Sequence, residues 1–323
     1  MIDEILIPLF VGLAIFLFGL KVMEMAMQFW AGPYLSRILG TFTETPFRGM
    51  LTGTVLTALL QSSSAITVIT IGLVNAGILT FPRTLGIILG TNIGTCITTE
   101  LIGLNINHLS VPLLYISAAV WLASWMVPAR KQEAWRSVWN GILALRYVSL
   151  AVCGFACILA GMEIMQAIVP ALKTRGIFAL FLEYAQRSLL WGVLAGTMLT
   201  AVIQSSSAVI AMTMALASLE AVSLELAIAI VMGANIGTCA TALIASIGAT
   251  KAGQFVAWSH VLLNVLGTAL FFPLIPLLAE VSSWMSGLES AQVARAQTLF
   301  NIACSVIALP LCYLPGLRHN RRA

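Results

Sequence analysis

Two stretches of this sequence set a glutamine and three serines in a row within apolar surroundings: Gln61-Ser62-Ser63-Ser64 and Gln204-Ser205-Ser206-Ser207. A lone Ser in an apolar helix bonds back to a carbonyl one turn earlier or acts as a small packing residue. Three in succession cannot do this together, because consecutive helical residues point in different directions. A turn between two half-helices removes the difficulty. The serines then form the N-cap and first turn of the second half-helix, with hydroxyls and free backbone N–H groups aimed one way. Such a terminus favours an anion.

A second pair of clusters lies further along each half, Asn92-Ile-Gly-Thr-Cys96 and Asn235-Ile-Gly-Thr-Cys239. Asn and Gly suit a helix C-terminus, and Thr95 and Thr238 can N-cap the next half-helix, so each cluster is expected to break a helix. Carbonyl oxygens at such a break, with Asn, Thr and Ser oxygens, suit Na⁺. Gly90 with Gly94, and Gly233 with Gly237, also read as close helix packing. Packing is the reading taken for the glycines, and the site for the asparagines. These segments hold no Arg or Lys. An anion there must be neutralised by N–H groups, hydroxyls and co-bound cations, which is a physical reason to expect cation coupling.

The clusters belong to a duplication. Residues 53–65 and 196–208 agree at ten of thirteen positions, and residues 90–99 and 233–242 at seven of ten, both at an offset of 143. A weaker match at offset 142 sets Gly19-Leu-Lys-Val-Met-Glu24 against Gly161-Met-Glu-Ile-Met-Gln166.

The elements that must carry these motifs follow from composition. The 323 residues are 60% hydrophobic and 9% charged. A soluble fold needs about 25% charged residues, so an ordinary soluble enzyme, a nucleic-acid binder and a disordered chain are excluded. A polytopic membrane protein remains. Spanning stretches of about 20 residues fall near 5–30, 84–103, 109–128, 142–168, 225–248, 255–279 and 298–316. The stretches 49–79 and 192–219 are over-long and polar in the middle, and read as re-entrant helical hairpins.

The expected fold is therefore all-α, with two inverted repeats, each holding a re-entrant hairpin and a broken transmembrane helix. Repeat 1 covers 1–128, a cytoplasmic connector 129–141, repeat 2 142–280, and an additional span with a basic tail 281–323. Three crossings per half is odd, hence the inversion, and the two hairpin tips are expected to meet near the midplane. Inverted repeats with interrupted segments point to a secondary transporter rather than a duplicated structural protein. On this assignment eleven Lys and Arg fall on one face and four on the other, with Lys21 inside a span. That places the C-terminus in the cytoplasm of an inner-membrane, multi-pass protein. The start, Met-Ile-Asp-Glu, is acidic where a signal peptide is basic, so the first stretch reads as retained.

Ionisable groups within spans are functional candidates. Lys21 and Glu24 can neutralise each other, Glu100 sits near a span end, and Glu163 matches their place in the second half. His260 and Asn264 share a helix face at i, i+4, and Gln297 and Asn301 repeat that spacing. Glu163, His260 and Asn264 are accessory candidates. The six cysteines show no disulfide or metal spacing. An enzyme is not expected, because no GxSxG, HExxH or P-loop occurs.

At the duplicated Gln-Ser-Ser-Ser and Asn-Ile-Gly-Thr motifs the chain resembles the type II sodium–phosphate cotransporter family, and most closely its bacterial members. The resemblance implies Na⁺-coupled symport of inorganic phosphate. Phosphate would be held by Gln61, Ser62, Ser63, Ser64, Gln204, Ser205, Ser206 and Ser207. Na⁺ would draw on Ser63, Asn92, Thr95, Ser206, Asn235 and Thr238. No cofactor is implied beyond Na⁺ as coupling ion, and no PhoU-like domain is expected. Partners are phosphate, Na⁺ and the bilayer, with no nucleic acid; the oligomeric state stays open, a homodimer included. Two departures stand out: Cys96 and Cys239 replace a Thr common in the family, which bears on a cation contact, and Gln297 stands where the family's His-x-x-Phe-Asn pattern has His. The alternatives are a carrier of sulfate or a dicarboxylate, H⁺ in place of Na⁺, a phosphate exporter, and a channel-like or structural protein.

Overall fold

The computed structural model describes residues 6–127, 136–168, 171 and 188–314. Within them the chain is helical, with no strand. The order is α1 (Ile7–Phe42), α2 (Pro46–Leu60), α3 (Ser63–Asn75), α4 (Phe81–Gly103), a 3₁₀ turn (Asn107–Leu109), α5 (Ser110–Trp125) and α6 (Arg136–Ala167). Then come α7 (Leu190–Ile203), α8 (Ser206–Ser218), α9 (Leu224–Ala245), α10 (Lys251–Phe271), α11 (Ile275–Met285) and α12 (Glu289–Ala308).

Among the described residues, seven helical segments are long and apolar enough to cross a membrane: Ile7–Phe42, Phe81–Gly103, Asn107–Trp125, Trp139–Ala167, Leu224–Ala245, Lys251–Met285 and Glu289–Tyr313. They carry large apolar side chains outward, among them Phe10, Phe18 and Phe29 on α1 and Val265 and Leu266 on α10. A surface so apolar suits lipid, not water. The helices outrun the apolar windows of the sequence where polar residues find partners. The α1 helix runs on through Pro33, and Arg83 donates to the carbonyls of Gly40 at 2.9 Å and Thr43 at 2.7 Å at its end. The α12 helix begins nine residues before 298, its Arg295 ion-paired with Glu100.

The chain forms two compact units, and neither is a sequence repeat. One comprises Met1–Tyr34 and Ile106–Ala171, the other Leu35–Asn105 and Leu172–Ala323. In the first, α1 crosses α6 at glycines: a Cβ on Gly19 would stand 2.5 Å from the Gly154 carbonyl oxygen, so no larger residue fits. Lys21 and Glu24 pair at 3.2 Å, as their spacing suggested.

The second unit holds both hairpins and both Asn-Ile-Gly-Thr helices. Its interior includes Ile228, Met232, Ile275, Leu278 and Phe300, with the Phe271 and Phe300 rings edge to face at 5.5 Å. The expected breaks in α4 and α9 are absent: both helices run unbroken through their motifs. Their glycines serve packing instead. A Cβ on Gly94 would lie 2.6 Å from the Thr54 carbonyl oxygen, and one on Gly237 2.5 Å from that of Thr197. The α2 helix thus lies against α4, and α7 against α9, at backbone contact. Thr54 and Thr197 stitch the same seams, donating to the carbonyls of Gly90 at 3.2 Å and Gly233 at 3.1 Å.

The connector 129–141 lies outside the described residues up to residue 135. So do Lys173, Arg175, Arg187 and the basic tail from 315, which the charge count used.

Candidate functional site

The turn between α2 and α3 is built as the serines require. Gln61 closes α2 in the left-handed conformation (φ 57°, ψ 25°), its N–H bonding the Thr57 carbonyl. Ser62 is extended and caps α3, its Oγ accepting from Ala65 N–H at 3.3 Å. The second hairpin repeats this. Gln204 sits at φ 56° and ψ 27°, and Ser205 Oγ accepts from Ala208 N–H at 3.3 Å. The first two residues of each new helix are then Ser63 with Ser64, and Ser206 with Ser207. Their amides precede any intrahelical acceptor, so each tip presents two N–H groups and two hydroxyls on the positive end of a helix dipole.

The two tips differ in their surroundings. Gln61 is clamped, its Oε1 accepting from Thr98 Oγ1 and its Nε2 donating to the Ala58 carbonyl. Gln204 is exposed. Ser64 Oγ lies 3.2 Å from Thr241 Oγ1, which joins the first tip to α9 of the second half.

Thr95 and Thr238, expected to cap half-helices, are mid-helix. Their hydroxyls donate to the carbonyls four residues back, Thr91 at 2.9 Å and Ala234 at 3.0 Å. The unwound carbonyls on which a Na⁺ site at these breaks relied are therefore engaged within helices. What remains at each motif is side-chain oxygen.

Asn92 is half-buried and Asn235 buried. Asn92 Nδ2 donates to Asn264 Oδ1 at 3.2 Å, and His260 Nε2 lies 3.3 Å from Asn92 Oδ1. His260 and Asn264, named from sequence as accessory, are thus brought onto a motif residue. Glu163 is an exposed residue of the other compact unit.

Cys96 and Cys239 take part in a matched pair of contacts. Asn301 Nδ2 donates to Cys96 Sγ at 3.4 Å, and Asn264 Nδ2 to Cys239 Sγ at 3.3 Å. One turn further on, Ser305 Oγ donates to the Leu89 carbonyl at 3.2 Å and Thr268 Oγ1 to that of Met232 at 3.4 Å. Helix α12 therefore stands to α4 as α10 stands to α9. The spacing His260, Asn264, Thr268 against Gln297, Asn301, Ser305, at an offset of 37, carried that relationship in the sequence, but the sequence reading left the last span outside both repeats. It also left Thr98, Thr99 and Thr241 unnamed. Thr99 donates to Gln297 Oε1 at 2.6 Å, and Glu100 accepts from Thr298 Oγ1, also at 2.6 Å, beside its ion pair with Arg295.

Seven apolar helices long enough to span among the described residues, with two hairpins of one design, define an all-α polytopic membrane protein. The sequence matches the Na⁺/Pi-cotransporter family over residues 15–167 and again over residues 157–289. The chain belongs to that family, which is one of transporters and not of enzymes. It is 32% identical to the uncharacterized protein YqeW of Bacillus subtilis (strain 168) over 93% of this chain and 92% of that protein. It is 26% identical to YjbB of Escherichia coli (strain K12), named as a candidate inorganic phosphate export protein, over 94% of this chain. The match spans only 53% of YjbB. Sodium-dependent phosphate transport protein 2A of Rattus norvegicus is 34% identical over 30% of this chain and 16% of its own length. No solved structure matches.

Proposed function

We propose that this chain couples the movement of inorganic phosphate to Na⁺ across the cytoplasmic membrane, with the two Gln-Ser-Ser-Ser tips as the anion site. The observation that carries the reading is the tip geometry. Ser63, Ser64, Ser206 and Ser207 offer hydroxyls and first-turn N–H groups on two helix N-termini, in segments without Arg or Lys. Such donors suit a tetrahedral oxyanion, and its charge calls for a co-bound cation. Membership of the Na⁺/Pi-cotransporter family supports both partners.

Na⁺ is assigned to side-chain oxygens near the tips: Ser63, Ser206, Asn92, Asn235, Thr95 and Thr238. Gln61 and Gln204 orient the tips, and Ser62 and Ser205 cap them. Three spans and one hairpin per half make the repeats inverted, bring the tips together near the midplane and allow alternating access around them. The C-terminus is placed in the cytoplasm.

A second reading, net export of phosphate, is favoured by the likeness to YjbB along 94% of this chain. Uptake of labelled phosphate into proteoliposomes tests both, under an inward Na⁺ gradient, an outward Na⁺ gradient and a K⁺ gradient of equal size. Accumulation under inward Na⁺ alone supports symport. Phosphate movement that ignores Na⁺ sinks the coupling, and no phosphate movement by folded protein sinks the substrate. Competition by unlabelled sulfate and dicarboxylates reads out the other oxyanions.

A further inference from the structure

Asn92 is gripped at both atoms of its amide, by His260 Nε2 on Oδ1 and Asn264 Oδ1 on Nδ2. An amide oxygen only accepts, so His260 carries its proton on Nε2. Both residues come from α10, which packs on α9 and reaches across to α4. The matching helix α12 packs on α4 and also touches α9. At the position equivalent to His260 it carries Gln297, which is 1% exposed.

Among the described residues, Asn235 Nδ2 and Gln297 Nε2 are buried without a hydrogen-bond partner. At the first motif the corresponding side chains, Asn92 and His260, bond to one another. Buried donors are seldom left unpaired, because each such group forfeits its hydration. Turning the Asn235 carboxamide by 180° exchanges Oδ1 and Nδ2 at no change in volume. If Gln297 stands to Asn235 as His260 stands to Asn92, the turn sets an acceptor in place of a donor opposite Gln297 Nε2. Gln297 need not turn, and its Oε1 keeps the bond from Thr99 Oγ1 at 2.6 Å.

We propose that Gln297 is the positioning residue for Asn235: its Nε2–H donates to Asn235 Oδ1 and fixes the orientation in which that asparagine serves the site. The functional half of the proposal rests on Asn235 being part of the phosphate or Na⁺ site; the bond itself does not. The two halves then orient their asparagines by different groups, an imidazole for Asn92 and a carboxamide for Asn235. Gln297 thus does for Asn235 what His260 does for Asn92.

A double-mutant cycle on the full chain tests this, with Gln297→Met, Gln297→His, Asn235→Ala and the Asn235→Ala/Gln297→Met pair. Thermal unfolding midpoints in detergent read the bond without recourse to transport. Each single loss lowers the midpoint, and Gln297→Met lowers it no further once Asn235 is gone. In proteoliposomes Gln297→Met raises the half-saturating concentration of Na⁺ or phosphate about fivefold at an unchanged maximal rate, the effect of one lost hydrogen bond. Gln297→His, which supplies a ring N–H, restores it, and the Asn235→Ala background abolishes the effect. Additive midpoints overturn the bond and with it the proposal. Coupled midpoints with wild-type half-saturation in Asn235→Ala overturn the placement of Asn235 in the site, and so the positioning role, while leaving the bond.

Discussion

Ser64 and Thr241 meet with their hydroxyl oxygens 3.2 Å apart, although 177 residues separate them. The contact ties the tip of the first hairpin to the motif helix of the second half, which supports the proposal of one site shared by the two repeats. Thr241 is outside the proposed anion-binding set, and its hydroxyl donates to the Thr238 carbonyl at 2.9 Å, so it accepts from Ser64 Oγ. Thr241→Val keeps its shape and removes the contact. We expect phosphate half-saturation to rise about fivefold, the effect of losing about 1 kcal/mol of hydrogen bonding. Unchanged uptake kinetics would show that the contact does not position the tip.

The equivalent serines of the tips give a direct test of the anion site. Ser63→Ala and Ser206→Ala each remove one hydroxyl while leaving the caps Ser62 and Ser205 in place. We expect thermal midpoints near that of the wild type and at least tenfold slower phosphate uptake, about 1.4 kcal/mol. Full transport by both variants excludes these hydroxyls from the site.

The glycines of α4 and α9 make a prediction whose sign is informative. In an exposed helix interior Gly→Ala stabilises by about 1 kcal/mol. At Gly94 and Gly237 the added methyl meets backbone oxygen at 2.6 and 2.5 Å, and overpacking of this kind costs about 1–3 kcal/mol. Gly94→Ala and Gly237→Ala should therefore lower the unfolding midpoint. A raised midpoint would mean that the α2–α4 and α7–α9 seams are looser than the structure has them.

Much of this was legible in the sequence. Four polar residues inside an apolar stretch permit few backbone solutions, and the solution adopted, Gln61 left-handed and Ser62 as N-cap, follows from that constraint. The same logic failed at Asn92–Cys96. Asn and Gly tolerate a helix end but do not require one, and whether Gly94 breaks a helix or seats one is decided by a neighbour 40 residues away, Thr54. The partnership of α12 with α4 was hidden for another reason. The repeated spacing of His260 with Asn264 and Gln297 with Asn301 was visible, but what it means shows only in what Asn264 and Asn301 touch.

Those contacts give the cysteines a structural part as well. A Thr in place of Cys96 was expected to matter for a cation. In the structure the thiol accepts from Asn301 Nδ2 and lies 3.4 Å from the Asn92 carbonyl oxygen, which favours a packing role. Cys96→Thr should leave the Na⁺ dependence of uptake within about twofold of the wild type, well under 1 kcal/mol. Cys96→Val, which removes the acceptor from a buried amide, should destabilise by about 1–3 kcal/mol. A marked gain in Na⁺ affinity in Cys96→Thr would return the side chain to the cation site.

His260 provides the complementary test of how the asparagines are held. Its Nε2 engages Asn92, while Nδ1, among the described residues, has no partner. The site therefore uses one N–H of the imidazole and none of its second nitrogen. Glutamine supplies an N–H of similar reach, as Gln297 does at the matching place on α12. His260→Gln should keep uptake within about threefold of the wild type, because the bond to Asn92 survives; a difference under 1 kcal/mol is implied. His260→Leu fills the space without the donor and leaves Asn92 Oδ1 without that partner. Its uptake should fall about tenfold or more, in line with the 1–3 kcal/mol penalty for an unpaired buried polar group. Equal losses in both variants would mean that the imidazole itself, and not its N–H, is what transport needs.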